Sequence, residues 1–246
     1  MRATFRFHGP LEDFLPRSVR GAPVPFEAPV APSVKDALES LGPPHVEVLR
    51  LLVNGEPAGF GRTLADGDVV DAHADAAPGA PRTAPPAPEP LRFVLDVHLR
   101  RLAVHLRLLG FDATWWAGAE DADLAETSAR ERRVLLTRDL GLLKRAVVVH
   151  GRFVRATDPR DQLHEVAEAF DLGARATPFT RCLRCGHAIE PVEKTVVLDR
   201  LHPGTARTYD EFRICRRCDR VFWRGAHFHR LATIVRGVLP HWTVRG

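Results

Sequence analysis

The stretch Phe93-Val94-Leu95-Asp96 is a short apolar run that ends in a carboxylate, and a segment with helical periodicity, Val97 to Gly110, follows it directly. A second apolar run, Val134 to Thr137, repeats the arrangement and is followed by Arg138 and Asp139. Short apolar runs without polar alternation are typical of strands buried on both faces of a parallel sheet. The sequence therefore predicts two buried strands, each with an acid just beyond its end.

The segments around these runs have the periodicity of helices. Apolar residues recur at helical spacing from Leu99 to Leu109, and Gly110 is a typical helix end. An acidic cluster at 120–126 leads into an expected helix that reaches about Arg132, and a last helix is expected from Pro159 to Leu172. Short strands that alternate with helices predict an α/β domain in which helices cover a parallel sheet.

The two acids beyond the strands are candidate metal ligands. In open parallel sheets, ligands bind beyond the carboxyl ends of the strands, where Asp96 and Asp139 are expected to lie. Carboxylates that lie close together repel one another unless a divalent cation holds them, and Mg²⁺ and Mn²⁺ prefer such oxygen ligands. An ion held in this way can activate a water for attack on a phosphate.

Each of these acids also has a purely structural explanation. Asp96 can cap the helix that follows it, and Asp139 can be a turn residue after a strand. Asp121 and Asp123 can be first-turn acids that the helix macrodipole favours. Asp158 precedes Pro159 and can be a helix cap or a turn residue.

The first 75 residues have a different pattern, in which residues 2 to 8 alternate between apolar and polar as a half-buried strand does. Ser33 is a typical helix cap, and Asn54-Gly55 is a typical turn. The expected elements are, in chain order, strands at 2–8 and 23–28, a helix from Ser33 to Gly42, and strands at 46–53 and around 69–70. This order predicts a compact α+β unit.

That order, together with the motif Leu64-Ala65-Asp66-Gly67-Asp68-Val69-Val70, resembles the ubiquitin-like β-grasp proteins of the sulfur-carrier kind. Such carriers act through a free C-terminal Gly-Gly. Here the chain continues through Asp71-Ala72-His73-Ala74 instead. Sulfur transfer or conjugation is therefore not expected. The resemblance instead implies a structural or partner-binding role for a β-grasp domain at 1–75, and a protein partner for it.

Residues 74–90 contain six Ala and six Pro in 17 positions, a composition typical of a stiff, extended linker. We place the linker at 76–90, between the β-grasp domain and a domain that begins at Leu91. The chain has no signal-like segment and no run near the roughly 18 apolar residues of a membrane span. We therefore expect a cytoplasmic protein without a membrane partner.

All four cysteines lie in two Cys-x-x-Cys pairs, Cys182 with Cys185 and Cys215 with Cys218, separated by 29 residues. Two sulfurs three positions apart on a tight turn can both reach one Zn²⁺, and two such pairs complete a closed tetrahedral site. Disulfides are the alternative, which a cytoplasmic location disfavours. The pattern predicts a structural zinc, with the four cysteines as its ligands.

The C-terminal segment is the most basic part of the chain. Residues 181–246 contain 13 Lys and Arg against 6 Asp and Glu, although the formal net charge of all 246 residues is only +4. Arg216 and Arg217 lie beside Phe222 and Trp223, and basic residues interleaved with aromatic ones can bind single-stranded nucleic acid. Alternatively, the two aromatic residues form the core of a small zinc ribbon and the arginines are a solvated surface.

The whole span from Leu91 to about Val238 resembles a known family. Phe93 to Gly110 with Asp112, then Asp121 through Thr137-Arg138-Asp139, is similar to a PIN-type nuclease core. With the paired cysteines, the span resembles the Mut-seven C-terminal RNase family, whose members join a PIN-like domain to a zinc ribbon. The resemblance implies a PIN-like domain at 91–178, a zinc ribbon with a C-terminal helix at 179–246, and RNA as substrate.

The resemblance also implies roles for individual residues. Asp96, Asp121 and Asp139 correspond to the metal-binding acids, and Asp123, Glu126 and Asp158 are possible further acids. Arg107 and Arg138 are candidate phosphate contacts, although either can instead pair with a carboxylate in the core.

These observations predict a metal-dependent endoribonuclease with a catalytic Mg²⁺ or Mn²⁺ and a structural Zn²⁺. The alternative is a non-catalytic RNA-binding or adaptor protein, in which the acid cluster is incomplete and the β-grasp domain recruits a partner. A third hypothesis is a toxin-like or tRNA-directed nuclease with one narrow target.

Overall fold

The computed structural model describes residues 1–75 and 79–243. The chain forms two compact units, of which the first comprises Met1–Pro88 and Asp121–Phe153 and the second comprises Glu89–Glu120 and Val154–Gly246. These units group the chain differently from the predicted domains, because the segment 91–178 contributes to both of them. The division into domains therefore stays a prediction.

The described residues contain strands and helices throughout their length. The strands are β1 (Arg2–His8), β2 (Val24–Glu27), β3 (Arg50–Val53), β4 (Glu56–Pro57), β5 (Asp68–His73), β6 (Arg92–Leu95), β7 (Asp112–Thr114), β8 (Val134–Thr137), β9 (Gly151–Phe153), β10 (Glu190–Val192), β11 (Phe212–Cys215) and β12 (Arg220–Phe222). The helices are α1 (Val34–Leu41), α2 (Arg100–Leu108), α3 (Asp121–Glu131), α4 (Leu140–Leu143), α5 (Pro159–Ala169), α6 (Lys194–Val197), α7 (Pro203–Thr208) and α8 (Ala226–Val238).

The first unit contains a five-stranded sheet with the order β2-β1-β5-β3-β4. The strands β1 and β5 pair in parallel, whereas the other neighbours are antiparallel. The predicted alternation of β1 is confirmed, because Ala3, Phe5 and Phe7 are buried while the residues between them are not. These side chains form a core with α1, whose buried face includes Leu38.

Capping residues set the ends of α1 as the sequence predicts. The Ser33 hydroxyl accepts a hydrogen bond from the Asp36 backbone N–H at 3.1 Å. Gly42 ends the helix with φ +139°, and a Cβ at this position would lie 2.5 Å from the Phe14 carbonyl oxygen. Only glycine is compatible with this helix end.

The expected strand at 46–53 is wrong in its first half. His45–Glu47 form a 3-10 turn, and β3 begins only at Arg50. The turn directs the Glu47 side chain inward, where it accepts hydrogen bonds from Phe153 N at 2.6 Å and Arg152 Nη1 at 3.0 Å. These long-range contacts outweigh the local β propensity of the apolar residues around Glu47.

Part of the expected linker packs on the sheet of the first unit. Residues 79–88 form neither helix nor strand, but Thr83 N donates to Leu49 O at 2.9 Å and Leu51 N donates to Thr83 Oγ1 at 3.0 Å. Ala84 is buried. Residues 76–78 of the expected linker lie outside the described residues.

The first unit also contains α3, β8, α4 and β9. The strands β8 and β9 pair in parallel, with Leu135 opposite Gly151 and Thr137 opposite Phe153. All four residues of β8 are buried, which confirms the prediction of a buried strand without polar alternation.

In the second unit, β6 and β7 pair in parallel, with Arg92 opposite Asp112. The helix α2 buries Leu102 and Leu106, as its periodicity predicts, but a 3-10 turn at Val97–Leu99 precedes it, so that it begins later than expected. The Phe93 ring packs edge-on against Phe111 and Phe170, with ring centroids 6.0 and 5.7 Å away.

The C-terminal part of the second unit is a small three-stranded antiparallel sheet, with the order β10-β11-β12, followed by α8. Its buried residues include Val197, Phe212 and Ile214. The predicted fold class is confirmed, because parallel strands flanked by helices occur together with an N-terminal α+β sheet domain and a C-terminal four-cysteine cluster. In the described part of the chain, no helix has the length and apolar character needed to cross a membrane.

Gly110, which ends α2, is a position where substitution has a large expected cost. Its φ is +95°, and an added Cβ would lie 2.2 Å from the Thr177 carbonyl oxygen. We expect Gly110→Ala to lower the free energy of unfolding by about 2–4 kcal/mol, because left-handed strain adds to a steric clash. Urea denaturation measures this change.

Gly118→Ala is the matched control, because Gly118 also has a positive φ of +69° but nothing lies within 4 Å of its added Cβ. It should cost only the left-handed strain, about 1–2 kcal/mol. Equal losses at the two positions would show that the close approach of Thr177 is not important.

Candidate functional site

The four cysteines come together in the second unit. Cys182 Sγ lies 3.5 Å from Cys218 Sγ, Cys185 Sγ lies 3.4 Å from Cys215 Sγ, and all four sulfurs lie within 4.8 Å of one another. None of the four cysteines forms a disulfide. The turn after Cys182 is held by its backbone, since Gly186 N donates to Cys182 O at 2.8 Å.

This donor set fits zinc. A tetrahedral site with Zn–S bonds of about 2.3 Å separates its sulfurs by roughly 3.8 Å, close to the separations seen here. Burial raises the pKa of the Cys185 thiol to about 12. Burial acts in the same direction on Cys215, but the backbone N–H of Cys218 and the Cys185 side chain outweigh it and lower the pKa of Cys215 to about 7. Four thiolates leave no open position for a substrate, so a zinc here is structural.

Arg107 supports this cluster from α2. Its Nη1 donates to the carbonyl oxygens of Leu183 at 3.2 Å and Arg184 at 2.8 Å, and its Nε donates to Ala113 O at 2.8 Å. Burial lowers the pKa of Arg107, whereas the charges of Cys185 and Cys182 act in the opposite direction.

The expectation that Arg107 contacts phosphate is therefore corrected. The residue is only 4% exposed, and its guanidinium N–H groups are directed at backbone carbonyls of the first cysteine turn and of β7. These contacts join α2 and β7 to the first cysteine turn.

The other candidate arginines are exposed. Arg138 follows β8. Arg216 pairs with Glu190, and Arg217 Nη1 lies 2.9 Å from His187 Nε2. Their positions on the surface are compatible with contact to a polyanion.

Two of the candidate acids lie in the second unit. Asp96 follows β6 directly, is 6% exposed, and accepts a hydrogen bond from Val97 N at 2.5 Å. Asp158 caps α5 and accepts from Arg160 N at 2.8 Å. The capping roles that the sequence offered for both acids are confirmed.

The remaining candidate acids lie in the first unit. Asp139 caps α4, where its Oδ1 accepts from Gly141 N at 2.6 Å and Leu142 N at 3.2 Å. Asp121 and Asp123 lie in the first turn of α3, and exposed Glu126 pairs with Arg130 at 3.4 Å. Asp96, Asp121 and Asp139 thus divide between the two units, and their joint role as metal ligands stays a prediction.

A second group of potential ligands lies on the N-terminal sheet, where His8, Asp71 and His73 occupy the neighbouring strands β1 and β5. The two imidazole rings stack face to face, with centroids 4.1 Å apart and planes inclined by 5°. His8 Nε2 lies 2.9 Å from Asp71 Oδ1. Stacked rings direct their nitrogen lone pairs side by side rather than toward one point, so we interpret this group as surface packing.

The sequence did not predict a cleft of 1880 Å³ in the second unit. It is lined by residues of the zinc ribbon, by α8 and by the segment 176–181, and its aromatic lining includes Phe179, Phe228 and Trp242. These aromatic residues are far apart in the sequence and come together only when α8 packs in the folded chain. The sequence therefore gave no indication of the cleft.

The sequence model of the Mut7-C RNAse domain matches residues 91–235, and that of the Mut7-C ubiquitin domain matches residues 1–78. No curated protein and no solved structure matches the chain. The first match covers more than half of the chain and includes β6, β8 and all four cysteines. The resemblance identified from the sequence is thereby confirmed, and the chain belongs to the Mut7-C RNAse domain family, with a Mut7-C ubiquitin domain at its N-terminus.

Proposed function

We propose that this protein is a metal-dependent endoribonuclease, in which Asp96, Asp121 and Asp139 hold Mg²⁺ or Mn²⁺. The observation that carries the proposal is the match of residues 91–235 to an RNAse domain. The placement of the acids supports it, because Asp96 and Asp139 each follow a strand of a parallel pair directly or within two residues. Ligand sites of parallel α/β sheets lie at such strand ends.

Carboxylate oxygens are the ligands that Mg²⁺ and Mn²⁺ prefer. A bound ion would polarise the phosphate and lower the pKa of a water. The capping contacts of Asp139 are compatible with this role, since both use Oδ1 and Oδ2 makes no hydrogen bond within the described part of the chain. The caps also fix the side-chain positions before an ion binds.

The exposed residues Arg138 and Arg217 support the proposal through their charge, which favours binding of phosphates without sequence specificity. A structural zinc at the four cysteines completes the proposed set of cofactors. The cluster is compatible with this metal in both donor type and sulfur separation.

The test is RNA cleavage by the Asp96→Asn plus Asp139→Asn variant. We expect cleavage of mixed RNAs to fall at least about a hundredfold, because the variant would lose several kcal/mol of charge stabilisation by the metal. Asparagine is as good a helix cap as aspartate, so the substitutions preserve both caps. Asp161→Asn, which changes an acid in the first turn of α5, is the matched control and should retain activity.

The metal is tested in the same assay. Brief dialysis against a chelator should abolish cleavage, and Mg²⁺ or Mn²⁺ should restore it while the zinc content stays constant. Cleavage that resists the chelator, or that persists in the double variant, would contradict the proposal. Binding of RNA without cleavage under every metal condition would instead support the non-catalytic alternative.

A further inference from the structure

The cleft in the second unit has the size of a binding site for a polymer. Its volume of 1880 Å³ exceeds the roughly 300–1,000 Å³ that is typical of small-molecule sites. Its walls are the three-stranded sheet of the ribbon and α8. These residues are distant in the sequence from the acids of the proposed nuclease site.

Three aromatic rings form a partly exposed aromatic surface in this cleft. The Phe179 ring contacts Phe228, with ring centroids 4.6 Å apart, and Trp242, with centroids 5.5 Å apart and planes inclined by 29°. Each of the three residues is only partly buried. Unpaired bases stack on such surfaces, and because every base has a π-face this stacking tolerates any sequence.

The backbone of Phe179 is strained in the conformation that presents its ring. Its φ is +59°, a region that bulky side chains rarely adopt and that costs about 1–3 kcal/mol. Phe179 N donates to Leu108 O at 3.0 Å, and this contact to the end of α2 holds the strained backbone. Backbone strain that is retained at an aromatic residue lining the cleft supports a functional role for this position.

Cationic groups line the same cleft. The Arg224 guanidinium lies 5.9 Å from the centroid of the Phe228 ring and 3.9 Å from Glu211, a long and exposed pair. Arg220 is exposed and forms no ion pair among residues 1–75 and 79–243. The lining of the whole cleft contains six Lys or Arg and three Asp or Glu, so its net charge is positive.

We infer that this cleft binds a single strand of RNA, with bases stacked on the exposed parts of the surface formed by Phe179, Phe228 and Trp242 and phosphates at Arg220 and Arg224. The combination of aromatic faces and guanidinium groups is complementary to an unpaired strand, in which bases and phosphates are both accessible. A duplex keeps its bases stacked inside and offers only phosphates and grooves. The choice of RNA over DNA rests on the proposed function.

The test is fluorescence anisotropy with a labelled, unstructured RNA of about 12 nucleotides, a length within the usual range for single-strand sites. All proteins carry Asp96→Asn and Asp139→Asn, so that the RNA is not cleaved. Phe179→Asn removes the ring but keeps a residue that tolerates a positive φ. We expect it to raise the Kd about tenfold or more, as loss of one stacked base does.

The charges are tested by Arg220→Gln plus Arg224→Gln. Loss of two phosphate contacts should reduce the slope of log K against log salt by about 1.4, or roughly 0.7 per phosphate on a single strand. Arg236→Gln removes one positive charge, half the change of the double variant, at an exposed position of α8 outside the cleft. It is the control for a single arginine and should change Kd less than about twofold.

Several results would overturn the inference. In the first, Phe179→Asn and the double arginine variant bind RNA as tightly as Arg236→Gln does. In the second, a duplex of the same length binds as tightly as the single strand. In the third, single-stranded DNA binds more tightly than RNA. If Phe179→Asn fails to fold, Trp242→Leu at the edge of the surface replaces it, with the same expected loss. Weakened binding in these variants supports RNA binding in the cleft even if the unsubstituted chain cleaves no RNA. Failure of the proposed nuclease activity is therefore distinguishable from failure of this inference.

Discussion

A Cys215→Ser variant should retain no zinc after dialysis and should lose the folded ribbon, whereas the unsubstituted chain should hold one zinc. Cys215 is fully buried at the end of β11, and the four cysteines pack with Ile189 as the core of this part of the ribbon. A structural zinc contributes on the order of 10 kcal/mol to the folding of small zinc domains. Few other interactions in the ribbon are of this size, so this is the largest effect that we expect.

Metal analysis measures the zinc, and near-UV circular dichroism reports the loss of packing around Phe212 and Trp223, whose ring centroids lie 6.4 Å apart. Chelator-stripped unsubstituted protein is the matched control. It should behave like Cys215→Ser, but added zinc should restore the unsubstituted chain alone. A folded ribbon that contains no zinc would refute the structural metal.

Glu47→Ala has the second large expected effect, a loss of about 3–5 kcal/mol in the free energy of unfolding of the first unit. Glu47 is 2% exposed, and its carboxylate accepts from Arg152 Nη1 and from Phe153 N. Removing the carboxylate leaves a partly buried N–H and a partly buried guanidinium without this partner. Arg152 Nε is already buried and has no hydrogen bond to the residues that the structure describes, so the site has little capacity to compensate.

Urea denaturation, followed by far-UV circular dichroism, measures this loss. Glu27→Ala is the matched control, because Glu27 pairs with Arg2 at 3.0 Å in the same unit with 71% and 80% of the two side chains exposed. Exposed pairs contribute about 0–1 kcal/mol. Comparable losses for the two variants would show that burial of the Glu47 pair does not determine its contribution.

The sequence predicted those parts of the fold that depend on local patterns. The alternation of β1, the cap at Ser33, the apolar run of β8 and the helix end at Gly110 all follow from neighbouring residues, and all are present. The expected strand at 46–53 failed because a distant partner, Arg152, determines the conformation at Glu47. A contact 105 residues away leaves no periodic signal in the sequence.

The candidate site shows the same limit. The spacing of the cysteines predicts their cluster, because two turns of fixed geometry are sufficient to bring four sulfurs together. Arg107 was misassigned, since an arginine on an amphipathic helix gives no indication that carbonyls of residues 183 and 184 lie within its reach. The ring of Phe179 escaped prediction because its left-handed backbone has no marker such as glycine or asparagine.

The hydrogen bonds around His45 and Glu47 also determine what removal of the N-terminal domain would do to the rest of the first unit. His45 Nε2 bonds to Val148 O at 3.0 Å, and Lys144 Nζ donates to Glu39 O at 2.6 Å. Deleting the first 88 residues would leave these groups, and Arg152, without the partners they have here. We therefore expect residues 121–153 to fold poorly when they are expressed without residues 1–88, because the ubiquitin-like domain supplies hydrogen-bond partners to that segment.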